Sequence, residues 1–179
     1  MLQLCLARFK RLSDKQIIEF YRDALGIKTN ENEIYLRAVT HKSYNNSTNN
    51  ERLEFLGDAV LDLIVSQQLF VKNKDANEGF LSIEKSKYVS RENLNKVAER
   101  ILNKNVIKHK SSYLSKNMLG NTLESIIGAI YIDKGMRACE KFILKHILQF
   151  RTERFFFRNL SKIINTIFYE KKTKANRRP

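Results

Sequence analysis

One proline and six glycines are the only strong breakers in this chain of 179 residues, and the proline is its last residue. Glycine and proline are the residues that most reliably interrupt helices and force turns. So sparse a supply predicts long helices joined by few tight turns. The hydrophobic share of 42% is enough for a folded core rather than wholesale disorder. The length suits one domain with an appended tail.

Apolar spacing places helices over about 13–25, 31–40, 52–71, 81–102, 118–133 and 137–151. Ser13 or Asp14 can cap the first, and Gly26 can end it; Gly135 closes the fifth. The polar tract 44–50, Tyr-Asn-Asn-Ser-Thr-Asn-Asn, is a loop. In 81–102, Val89, Leu94, Val97, Ala98 and Ile101 face inward, while Lys85, Lys87, Arg91, Lys96 and Arg100 leave the other side basic. No segment alternates as a strand would, and there is no internal repeat. The expected architecture is all-α, with a domain over 1–150 and a basic tail, partly helical or disordered, over 151–179.

The net charge is +14, and half of that excess falls in the 29 residues from 151 on, which hold nine Lys/Arg against two Asp/Glu. A surface of that sign attracts polyanions, nucleic acid being the commonest. Cys5 and Cys139 lie far apart with no ligand spacing, and His41, His109 and His146 are scattered, which argues against a zinc site or a disulfide framework. The apolar start is broken by Arg8, Lys10 and Arg11 and is too short to span a membrane. A reducing, cytoplasmic location without membrane attachment is the expectation.

The chemistry lies in carboxylates. Glu51, Glu54 and Asp58 follow at i, i+3 and i+7, so they share one helix face, and Asp62 continues the row. Such neighbours repel by about a few tenths of a kcal/mol per pair. A divalent cation would offset this, since magnesium takes hard oxygen ligands. Compensation of the helix dipole accounts equally well for Glu51 and Glu54 but reaches only about one turn, short of Asp58. Asn121 and Glu124, also i, i+3 neighbours, interrupt an apolar run from 118 to 133. A charge there needs an ion or a nearby Lys or Arg as partner, and both readings stand on this segment alone. Gly57 and Gly128 cost about 1 kcal/mol each in helix interiors. Both make sense if two helices approach closely and bring Glu54, Asp58, Asn121 and Glu124 to one ion.

The run Asn50-Glu-Arg-Leu-Glu-Phe-Leu-Gly-Asp-Ala-Val-Leu61 resembles the signature helix of the ribonuclease III family almost letter for letter. Thr40-His-Lys-Ser43, Glu78-Gly-Phe-Leu-Ser82 and the segment from Asn121 to Asp133 extend the resemblance over roughly 14–150. It implies an all-helical endonuclease domain that forms a symmetric homodimer and cuts double-stranded RNA with Mg2+, with Mn2+ able to substitute. The expected products carry 5′-phosphates, 3′-hydroxyls and short 3′ overhangs, and the expected setting is processing of ribosomal or other precursor RNA. The resemblance makes Asp58 and Glu124 catalytic and Glu54, Asp58, Asn121 and Glu124 the metal set. It places Glu51 and Glu78 as cleft acids and Phe55 at the dimer interface.

Two departures stand out. Asn121 occupies a position where many members have a second aspartate, so the site carries one negative charge fewer. The 29 residues after the nuclease body are too few for the family's usual double-stranded-RNA-binding domain. Arg151, Arg154, Arg158 and Lys162 are the tail's candidate RNA contacts, through phosphate rather than base. The alternative is a relative that binds RNA without cutting it.

Overall fold

The computed structural model describes residues 11–149, and the chain divides after Leu148, so the fold is that of the first unit. Its helices are α1 (Asp14–Asp23), α2 (Asn32–Ala38), α3 (Glu51–Lys72), α4 (Glu78–Val89), α5 (Arg91–Ile101), α6 (Lys116–Lys134) and α7 (Met136–Ile143). A short 3-10 turn (Lys104–Val106) precedes α6, and a π-helical turn (Leu144–Leu148) continues α7. Among the described residues the one pairing of extended backbone is an isolated parallel bridge between Thr40 and Lys108. The architecture is all-α, as the scarcity of breakers predicts. No helix among these residues is long and apolar enough to cross a membrane.

Local signals set most boundaries. Ser13 Oγ accepts from the Gln16 backbone N–H, and Gln16 Oε1 accepts from the Ser13 N–H, which satisfies two otherwise orphaned donors at the start of α1. Gly135, at φ 73°, turns the chain between α6 and α7 in a conformation other residues rarely adopt.

The periodicity over 81–102 predicts one helix, and the structure contains two. Ser90 leaves the helical region at ψ 143°, and its hydroxyl caps the next helix by accepting from the Asn93 N–H at 3.3 Å. Asn93 in turn donates from Nδ2 to the Tyr88 carbonyl at 2.7 Å, occupying an acceptor that the end of α4 leaves open. Apolar spacing continues through the break, which is why periodicity alone misses it. The helix expected over 137–151 changes to the wider π turn at Leu144, and its expected end lies outside the described residues.

The core forms around α3 and α6. Leu53, Val60, Leu61, Ile64, Val65 and Leu69 of α3 are buried against Leu119, Leu123, Ile126, Ile127 and Ile130 of α6. Ile17 and Tyr21 of α1, Tyr35 of α2, Leu94 and Val97 of α5 and Ile143 of α7 close around them. Burial of each large side chain contributes roughly 1.5–3 kcal/mol. A Cβ on Gly57 would stand 1.8 Å from the Glu124 carbonyl oxygen, and one on Gly128 would stand 2.2 Å from that of Leu53. The two glycines therefore let the backbones of α3 and α6 touch, as their helix-interior positions suggest. A second tie lies just before both helices: His41 N–H donates to the Lys108 carbonyl at 2.9 Å, and Lys108 N–H to that of Val39 at 2.8 Å.

Candidate active site

The glycine crossing decides where the acids go. Glu54 and Asp58 flank Gly57 on α3, and Asn121 and Glu124 lie within two turns of Gly128 on α6. All four border one cavity of about 440 Å³, which Glu51, Phe55, His41, Lys42, Asn50 and Arg91 complete.

Glu124 is the deepest of them, its side chain only 3% exposed. Its Oε2 accepts from Arg91 Nη1 at 3.0 Å, and the same nitrogen donates to Asn121 Oδ1 at 2.6 Å. Burial pushes the Glu124 carboxyl up to about 7 against the pull of Arg91, with the charges of Asp58 and Glu54 adding to the rise. Burial also raises Glu54; Arg91 and a hydrogen bond with Asn121 oppose this, and Glu51 adds to it. Two neighbouring carboxyls thus resist ionisation, chiefly because burial disfavours their charged forms.

Of the two readings of Glu124, pairing with a basic residue is the one seen directly, since Arg91 fills that role. Glu51 in the first turn of α3 pairs with Lys42 at 2.8 Å. Asp62 leaves the row and pairs with Lys85 of α4 at 2.8 Å. Glu78 begins α4, accepts from Ser82 Oγ at 2.7 Å, and does not border the cavity. Phe55 stands on the rim, 82% exposed. The tail candidates Arg151, Arg154, Arg158 and Lys162 lie outside the described residues.

Sequence reasoning assigns no site role to Arg91, Lys42 or His41. The signal for Arg91 was the serine before it: a cap at Ser90 makes Arg91 the first residue of a new helix aimed at α6. His41 Nδ1 lies 2.8 Å from Ser43 Oγ, and burial, with Lys42 and His109, holds the imidazole below its usual range.

Among the described residues, no three Asp, Glu, His or Cys side chains are grouped closely enough to hold an ion as they stand. Magnesium does not need such a group, because it keeps several waters and binds through one or two carboxylates. Glu54, Asp58, Glu124 and the Asn121 carbonyl offer the hard oxygens it prefers around one cavity. The residues fit a divalent ion.

A family model described as Ribonuclease-III-like matches residues 31–150, a stretch that holds both acid-bearing helices. The chain belongs to the ribonuclease III family. It is 39% identical over 146 residues to Ribonuclease 3 of Phocaeicola vulgatus, a match covering 77% of this chain and 47% of that protein. It is 43% identical over 140 residues to Ribonuclease 3 of Leptospira interrogans, covering 70% of this chain and 56% of that one. The chain thus spans about half the length of the curated relatives it matches. The nuclease domain of ribonuclease III from Campylobacter jejuni superposes with a TM-score of 0.69 at 33% identity, covering 76% of this chain and 97% of that one. A second structure of that domain, described for flexibility in a region involved in dimer formation, gives 0.68 at 34%, covering 74% and 96%.

Proposed function

We propose that this domain is a Mg2+-dependent endonuclease that hydrolyses double-stranded RNA as a homodimer. One observation carries the reading: in a chain of this family, Glu54, Asp58, Asn121 and Glu124 meet at one cavity because α3 and α6 cross on two glycines. Asp58 and Glu124 are the residues assigned to the reaction, and Glu54 and Asn121 complete the oxygen set. A divalent ion there supplies positive charge to the phosphate and acidifies a water for attack. Phosphoryl transfer needs such positioning and charge more than a protein nucleophile. Lys42, on the cavity wall and paired with Glu51, has further N–H donors to offer a phosphate. Attack of that water on phosphorus with the 3′ oxygen as leaving group would give 5′-phosphates and 3′-hydroxyls, and duplex RNA is told from DNA by its minor-groove 2′-hydroxyls.

Two copies would place two such cavities against one duplex, one for each strand, and offset cuts give short 3′ overhangs. Support for the dimer comes from α3, which leaves Phe55 82% and Leu63 55% exposed on its outer side. A second copy packed on this side would remove both side chains from water. Mn2+ substitutes for Mg2+ in this reading, the RNA is a structured precursor such as ribosomal RNA, and the setting is the cytoplasm.

The test is incubation of the purified chain with end-labelled duplex RNA, with and without Mg2+, beside Asp58→Ala and Glu124→Ala. Staggered metal-dependent cuts, lost in both variants, are expected. Tight binding without cleavage in Mg2+ or Mn2+ would instead make this a relative that holds RNA and does not cut.

A further inference from the structure

The guanidinium of Arg91 occupies part of the oxygen set just described. Its backbone is fixed, because Arg91 is the first residue of α5 and Ser90 caps that helix. Its path across to α6 runs over Gly120, where a side chain would crowd it. A Cβ there would stand 3.1 Å from Arg91 Nη1 and 2.6 Å from Asn95 Oδ1, the atom that accepts from the Gly120 N–H at 3.0 Å. At the end of this path Nη1 meets Asn121 Oδ1 and Glu124 Oε2, the two oxygens that α6 offers an ion.

A divalent cation on those same two oxygens would sit beside the guanidinium, and the two positive charges repel, so each weakens the hold of the other. Of the two partners, only one is free to leave: the Glu124 side chain is 3% exposed and that of Arg91 is 45% exposed. We propose that Arg91 is a resident counter-ion of the metal-free site, which the metal ion must displace outward on binding. Arg91 is thus a positioning residue. It keeps Glu124 and Asn121 aligned in the absence of metal and raises the metal concentration at which the site fills. The neutral Asn121 sharpens the competition, because the site has one charge fewer with which to hold both cations.

This inference rests on the metal reading above, and its test separates the two. Mg2+ alone is titrated calorimetrically into the metal-stripped full chain, without RNA, at pH 8.5, for wild type, Arg91→Gln and Lys96→Gln. Glutamine removes the charge but keeps an N–H donor near Glu124. Lys96→Gln removes a charge from the same helix, where Lys96 pairs with Glu92. Arg91→Gln is expected to bind Mg2+ about tenfold tighter than wild type, about 1.4 kcal/mol, while Lys96→Gln stays near wild type. In EDTA, Arg91→Gln is expected to melt lower than wild type and to gain more from added Mg2+. Affinity that is unchanged, weaker, or raised equally by Lys96→Gln overturns the inference and leaves the metal reading intact. No binding to any variant overturns both. Arg91→Met keeps the stem without the charge and decides the matter if Arg91→Gln does not fold, wild-type affinity then counting against the proposal.

Discussion

Gly57 of α3 and Gly128 of α6 face each other across the helix crossing, each placed where a Cβ would enter the backbone of the opposite helix. The acids on either side of this contact meet because the backbones do. Glu54 and Asp58 on one helix, and Asn121 and Glu124 on the other, would be held apart by any side chain at the crossing.

Gly57→Ala is therefore expected to destabilise the domain severely. The new methyl would sit 1.8 Å from a carbonyl oxygen, and no rotamer change relieves a clash with backbone. A loss of about 3 kcal/mol or more is expected from overpacking on this scale. Urea denaturation reads it directly, and a midpoint equal to that of wild type would show that the helices separate without cost.

The metal-free protein should respond to pH through Glu124. Its carboxyl titrates at about 7 in the fold against an ordinary 4.5, so the folded state prefers the protonated form. The stabilisation from that preference is complete below about pH 4.5 and is lost as pH rises through about 7. The shift corresponds to on the order of 3 kcal/mol across that window. Glu124→Gln, which mimics the neutral form, should flatten this part of the profile in EDTA; parallel wild-type and variant curves would remove Glu124 as the cause.

Phe55 is expected to matter between copies and not within one. Being 82% exposed, it contributes little to the fold of a single chain. Phe55→Asp should leave the circular dichroism spectrum and melting cooperativity of a folded domain while shifting sedimentation from dimer to monomer. A variant that still sediments as a dimer would place the interface elsewhere.

Asn121→Asp restores a charge to the oxygen set and should lower the Mg2+ concentration for half-maximal cleavage several-fold. An added carboxylate also holds Arg91 more firmly, so the gain measures the balance between the two cations. An unchanged or higher requirement would overturn the reading that the missing charge at Asn121 weakens metal binding.

Much of this was legible in the chain. The all-α class follows from the shortage of breakers, and Gly57 and Gly128 announce a close crossing because they sit mid-helix at a cost. The i, i+3, i+7 row identifies the face that Glu54 and Asp58 share. What periodicity could not reveal was the break at Ser90, since Val89 and Leu94 keep apolar spacing on both sides of it. With the break hidden, Arg91 read as one more solvated charge. Its partner on α6 is 33 residues away, a separation at which no spacing rule operates. Asp62 shows the converse: it continues the acidic row in sequence, yet Lys85 of α4 draws it into a pair outside the cavity.

The parallel bridge between Thr40 and Lys108 also bears on how fast the site can respond. It joins the segments that lead into α3 and α6, which are pinned again at the glycine crossing. With the helices in contact at the crossing and the segments before them joined, spreading the helices would be a collective motion on the microsecond to millisecond scale. Exposed side chains at the rim turn over in picoseconds to nanoseconds. On this frame, rotamer changes at the rim are the faster of the two motions open to the site.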